Sequence, residues 1–248
     1  MDTNRLRFLL LQVRSRDDPM RDQEVRCFSR ALNCRTSRIE VLDLMREVPT
    51  AKRLRGVDAV LMGGSGDDSV VAGGTWLDGA LDAMRALYDL GKPTFGSCWG
   101  FQAMTKALGG EVVADSQRAE VGSFEIRLTE AGRQDPVIGP LGENFLALLG
   151  HQDVVTRLPA GATLLATSER SVNQAFTFAG KPIYCTQFHP ELDRRALLER
   201  TNQYPDYVRR VLGVSLEAFA SLLQETPLAN ELLGRFVHHV FAGPAEDA

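Results

Sequence analysis

The chain has 248 residues, 44% of them hydrophobic, which is enough to cover a substantial core as one large domain or two small ones. Its net charge of −4 is spread over interspersed acids and bases, which excludes the basic face of a nucleic-acid footprint and points to small-molecule or protein partners. No apolar run approaches the roughly 18 residues of a bilayer span, so no membrane partner is expected.

Residues 6–13 open the chain with the run Phe8-Leu9-Leu10-Leu11, flanked by arginines and without a small-residue cleavage pattern, so it reads as a buried strand and not a signal peptide. Further strands are predicted at 38–42, 59–62 and 93–97, alternating with longer amphipathic segments as parallel strands with crossover helices do. Between two of them, over 75–90, Trp76, Leu77, Ala80, Leu81, Met84, Leu87 and Tyr88 recur at helical spacing, a stripe that packs on a sheet. Beyond residue 110 the texture changes. Strands are predicted at 121–128, 163–167, 174–178 and 183–187, separated by polar or glycine-containing turns, as in a mixed or antiparallel extension. From Arg194 onward Ala196, Leu197, Tyr207, Val208, Val211, Leu212, Phe219, Leu222 and Leu223 supply apolar helix faces, predicting two or three closing helices. With no linker, repeat or low-complexity tract, residues 1–248 are expected to form one domain, of which 194–241 is a C-terminal helical extension. Those helices can serve as a homodimer face or pack back on the core, and their pattern fits both.

Three short stretches carry chemistry. In Gly96-Ser97-Cys98-Trp99-Gly100-Phe101-Gln102 a cysteine stands between a predicted strand and a helix. Such a turn lifts the side chain above the sheet edge, and the helix N-terminus favours a thiolate. The arrangement resembles a nucleophile elbow with cysteine in place of serine; a buried, inert cysteine is the competing reading. In Gln187-Phe188-His189-Pro190-Glu191 the two-residue spacing of an extended segment puts His189 and Glu191 on one face, so the carboxylate can orient the imidazole while the imidazole takes a proton from the cysteine. Gly63-Gly64-Ser65-Gly66-Asp67 follows a strand and lets a backbone N–H point into a cleft; it lacks the lysine and Ser/Thr of a phosphate-binding loop. Cys27, Cys34, Cys98 and Cys185 are dispersed without CxxC spacing, which predicts free thiols in a reducing cytoplasm and no metal site.

Together these stretches resemble the class I, triad-type glutamine amidotransferase family, whose signature is Gly-x-Cys-x-Gly-x-Gln followed about ninety residues later by His-Pro-Glu. The resemblance covers roughly residues 55–192 and is nearest the guanylate-synthase-like branch. It implies an α/β fold, a doubly wound, mostly parallel sheet flanked by helices in flavodoxin-like three layers. It also implies that Cys98 attacks the carboxamide of glutamine, His189 relays the proton to departing ammonia, Glu191 holds His189, and water cleaves the glutamyl thioester. The backbone N–H groups of Gly64 and Trp99 become the oxyanion hole. Gln102 and Gly66 fall to substrate binding, as does the loop Gly150-His151-Gln152, where many relatives have glycine in place of Gln152. His151 is then a pocket wall and Asp153 is left open. No cofactor is implied.

The roughly 57 residues after Glu191 have helical texture, with no room for a fused acceptor domain. The leading expectation is a free-standing hydrolase of glutamine or another γ-glutamyl compound. A glutaminase subunit of a two-chain synthase comes second, and a catalytically silent regulatory domain third.

Overall fold

In the computed structural model, which describes residues 1–66, 68–204 and 213–242, strand β1 (Phe8–Gln12) is buried along its whole length. Period-two alternation explains why. Phe8 and Leu10 enter one core with Phe28 of helix α1 (Met20–Ala31), while Leu9 and Leu11 enter a second core on the opposite face. A strand that feeds two cores shows no polar side, which is the signature of a sheet covered on both faces.

Beside β1 lie β2 (Ile39–Asp43) and, after the short helix α2 (Ala51–Arg55), β3 (Ala59–Met62), both parallel to it. Helix α3 (Leu77–Leu90) buries Ala80, Leu81, Met84 and Leu87 in the second core, as its predicted stripe requires, and ends where Gly91 turns left-handed at φ 56°. Strand β4 (Thr94–Ser97) runs straight into helix α4 (Trp99–Ala107). A side chain on Gly100 would bring its Cβ to 2.6 Å from the Met62 Cβ, so glycine lets α4 start directly against β3.

The second half comprises β5 (Glu111–Ala114), β6 (Glu120–Leu128), helix α5 (Glu130–Gln134), β7 (Asn144–His151), β8 (Asp153–Arg157), β9 (Ala162–Thr167), β10 (Ala175–Phe178) and β11 (Lys181–Thr186). The main sheet has the order β2-β1-β3-β4-β11-β10-β9-β6-β7, and β5 pairs with β8 apart from it. From β2 to β11 every pairing is parallel; from β11 to β7 every pairing is antiparallel. The helix-flanked parallel sheet predicted from the sequence is therefore present, with the antiparallel extension beyond residue 110. Strands β5, β7 and β8 were not among the predicted elements.

After Arg194 the described residues form α6 (Arg194–Gln203), α7 (Leu216–Leu222), α8 (Pro227–Asn230) and α9 (Leu232–Phe241), four segments where two or three helices are expected. The predicted apolar positions Tyr207, Val208, Val211 and Leu212 lie outside the described residues, as does Asp67 of the glycine loop. Of the two homes open to this region, α9 takes the core. Leu232, Leu233, Phe236 and Val237 are buried in the first core beside Phe95 and Tyr184, and Phe236 meets both rings edge-on at centroid distances of 5.5 and 5.8 Å. Phe219 and Leu223 close a third cluster over Val121, Leu148 and Leu197. No described helix is long and apolar enough to cross a membrane. Because Phe236 is 0% exposed, Phe236→Ala is expected to lower unfolding stability by about 3–5 kcal/mol. Urea unfolding followed by circular dichroism measures this.

Candidate active site

Three loops at the C-terminal ends of β3, β4 and β11 converge, the place where open parallel sheets gather ligands. Cys98 caps α4 with φ 51° and ψ −100°, and with Asn33 it is one of two described non-glycine residues at positive φ. Its N–H donates to Thr186 O at 2.8 Å, its carbonyl accepts from Gln102 N–H at 3.1 Å, and Gly100 N–H reaches Gly63 O at 3.2 Å. The turn is thus tied on three sides, and the thiol is presented at 8% exposure with Sγ 3.9 Å from Gly150 O.

His189 stands beyond the end of β11, its N–H donating to Leu148 O at 2.8 Å. Its Nδ1 lies 2.7 Å from Glu191 Oε1, so the carboxylate accepts the Nδ1 hydrogen and leaves Nε2 open on the side of Cys98, whose side chain acts electrostatically on the ring. The other carboxylate oxygen of Glu191 accepts from Ser97 Oγ at 3.0 Å. The structure therefore brings Cys98, His189 and Glu191 together in one line of contacts. A Cβ on Gly64 would lie 3.1 Å from His189 Cε1, so the glycine loop passes directly over the imidazole.

A cavity of about 220 Å³ opens onto these groups, below the roughly 300–1,000 Å³ of drug-sized ligand sites. All of the candidate residues Gly64, Gly66, Trp99, Gln102, Gly150, His151 and Gln152 line it. Their engagement differs. The Gln102 amide nitrogen donates to Asp153 O at 3.0 Å and to Gln187 Oε1 at 3.1 Å, so it holds the 150–153 loop. His151 is gripped between Asp153 O and the Glu120 carboxylate, each 3.0 Å from a ring nitrogen. Gln152 does not have positive φ, so its backbone does not require the glycine that the family resemblance leads one to expect there. The backbone N–H groups of Gly64 and Trp99 donate to no group among the described residues. Arg14, Arg200 and Tyr204 also line the cavity; no local motif announces them or the Ser97–Glu191 bond, which tertiary packing alone creates.

Residues 21–198 match the glutamine amidotransferase class-I family. The chain belongs to that family. Among characterised relatives, the glutamine-hydrolysing GMP synthase of Symbiobacterium thermophilum is 37% identical over 107 residues, 43% of this chain and 20% of that protein. Its counterpart from Corynebacterium ammoniagenes is 36% identical over 144 residues, 58% of this chain and 26% of that one. The chain thus spans about a fifth to a quarter of the length of the relatives it matches. A glutamine amidotransferase structure from Thermotoga maritima superposes with a TM-score of 0.73 at 20% identity, covering 94% of this chain and 96% of that one. Another from Methylobacillus flagellatus gives 0.68 at 19%, covering 93% and 94%. These two likenesses establish the fold.

In this amidotransferase site, burial pulls the imidazole toward its neutral form, but Glu191 and then Cys98 outweigh burial and raise the His189 pKa to about 9. Burial raises the Glu191 carboxyl, and His189 followed by Arg200 brings it below the ordinary carboxylate value. Burial, joined at Cys27 by the Glu191 and Glu24 carboxylates, pushes the Cys27 and Cys34 thiols up to about 11 against the nearby arginines, so neither is nucleophilic at neutral pH. A histidine whose folded pKa is raised stabilises the fold fully below its unfolded value and loses that contribution as pH climbs through about 9. His189 is accordingly expected to remain protonated through neutral pH in an NMR titration, and Glu191→Gln is expected to move its midpoint to lower pH.

Proposed function

We propose that the chain hydrolyses the side-chain amide of glutamine, or a related γ-glutamyl bond, through a thioester on Cys98, releasing ammonia. The observation that carries this reading is the Cys98–His189–Glu191 line, with His189 Nδ1 held at 2.7 Å by a buried carboxylate and the thiol set at the head of α4. Cys98 Sγ attacks the carboxamide carbon. The oxygen, now anionic, is met by the N–H groups of Gly64 and Trp99, donors each worth about 10²–10³ in rate in comparable sites. The proton held on His189 passes to the departing nitrogen, the C–N bond breaks and ammonia leaves. A water then gives its proton to His189 and its oxygen to the acyl carbon, and Cys98 departs as thiolate.

The size of the cavity favours an amino-acid-sized substrate, with its α-amino and carboxylate groups toward Gln102, Gly66 and the Gly150–Gln152 loop. Four free cysteines accord with a reducing, cytoplasmic setting. A synthase partner that consumes the ammonia is the second reading, favoured by the GMP synthases among the relatives.

Ammonia and glutamate release from glutamine, and separately from a γ-glutamyl dipeptide, tests the proposal. Release is expected to vanish in Cys98→Ala and in His189→Asn, and to fall less in Glu191→Gln. Undiminished release from Cys98→Ala would refute it. Release that appears only when a synthase is added would assign the chain to a two-protein enzyme.

A further inference from the structure

The triad is not the end of the buried charge. Arg200, on α6, is 7% exposed. Its Nε donates to Gln23 Oε1 at 2.9 Å, and Gln23 is itself aimed by donating Nε2 to Ala196 O at 2.8 Å. The two ends of the guanidinium then face two carboxylates. Nη1 is 3.9 Å from Glu191 Oε1, and Nη2 is 4.0 Å from Glu24 Oε1. Neither Nη2 nor Glu24 Oε1 has a hydrogen-bond partner among the described residues.

A buried guanidinium frequently closes on a carboxylate bidentately, at about 2.7–2.9 Å. This one stands off from both. The close contacts of Glu191 are left to His189 Nδ1 and Ser97 Oγ, which are the bonds that set the tautomer and the tilt of the imidazole. Arg200 adds positive charge without competing for those lone pairs. Its value is greatest when His189 has given its proton to the leaving nitrogen. Glu191 then faces a neutral ring, and a fully buried carboxylate without a counter-charge takes up a proton.

The charges around this point come from several elements. Glu24 and Cys27 face Arg200 from α1, His189 and Glu191 from the loop after β11, and Tyr204 from the end of its own helix. Arg14, following β1, is taken by Glu24 Oε2 at 3.3 Å and Asp18 Oδ2 at 3.1 Å. Among the described residues, Arg200 is therefore the one permanent cation within ion-pair range of Glu191.

We infer that Arg200 is a positioning residue of the reaction, keeping Glu191 ionised and aimed at His189 throughout the proton relay, with Glu24 moderating its charge. The inference rests on the hydrolysis proposed above. Arg200→Gln, Arg200→Lys and Glu24→Gln test it through the pH dependence of kcat and KM for glutamine. Arg200→Gln is expected to lower kcat at neutral pH by about 10²-fold, to leave KM little changed and to move the acid limb to higher pH. Arg200→Lys is expected to recover most of that loss. Glu24→Gln keeps the guanidinium and relieves it of one carboxylate, so its acid limb should move the opposite way.

A second readout needs no turnover. The rate at which iodoacetamide alkylates Cys98, followed by mass spectrometry, should fall at neutral pH in Arg200→Gln and recover in Arg200→Lys. If wild-type protein releases no ammonia, alone or with a synthase added, while this alkylation pattern holds, the hydrolysis proposal fails and the placement of Arg200 stands. Limbs that move together in Arg200→Gln and Glu24→Gln would overturn the inference. So would an Arg200→Gln effect confined to KM, or unchanged alkylation.

Discussion

A non-glycine residue held at φ 51° costs about 1–3 kcal/mol and persists only where its surroundings over-determine it. At Cys98 those surroundings are the backbone bonds to Thr186 and Gln102 and the neighbouring bond from Gly100 to Gly63. The same bonds lock the ends of β3, β4 and β11 together, so the strain and the assembly of the site are one constraint. Relaxing the turn would move the thiol off the helix axis and release both the glycine loop over His189 and the strand leading to it.

The second constraint is buried charge. Glu24, Arg14, Glu120, Glu191 and Arg200 are all buried, and removing ions from water costs several kcal/mol each unless partners repay it. Buried ion pairs are weak grounds for stability, so their grouping around one cavity has to be explained by what the cavity does. Two carboxylate–histidine pairs illustrate this. Glu191 leaves His189 one nitrogen free for the thiol, whereas Glu120 and Asp153 occupy both nitrogens of His151. The first pair leaves a ring nitrogen open toward the cavity; the second fixes the loop whose Gly150 carbonyl faces Sγ. Nearly identical chemistry leaves one imidazole with an uncommitted nitrogen and locks the other into a wall, and the difference is the number of acceptors.

The sequence made Cys98, His189 and Glu191 readable because each lies in a short motif at a strand end, where local spacing dictates geometry. Gln102 and the glycine loop were readable for the same reason. Arg200 and Glu24 were not, since each sits in an ordinary amphipathic helix and becomes chemically significant only through tertiary packing. Among the elements, β1 and β3 were visible as short apolar runs bounded by polar residues. Strand β7 was hidden, because Phe145-Leu146-Ala147-Leu148-Leu149 is buried without clean alternation and an apolar run of that length has no period to separate strand from helix. β5 and β8 pair only with each other, outside the main sheet; β5 is nowhere fully buried, and in β8 the consecutive residues Val154 and Val155 are both buried, so neither shows a period-two pattern.

The layout of the sheet explains why the site needs both halves of the fold. Strand β11 is parallel to β4 on one side and antiparallel to β10 on the other, so it is the seam between the parallel sheet and the antiparallel arm. Cys98 rises from the parallel half at the end of β4. His189 and Glu191 follow the seam strand, and the His189 N–H is anchored to Leu148 of β7 in the arm. The arm also delivers Gly150, which meets Cys98, and the separate strand β8 that follows it delivers Asp153, which meets Gln102. A pure parallel sheet could present the thiol but would lack the wall opposite it. By folding back antiparallel from the seam, the chain closes that wall around the cavity of about 220 Å³.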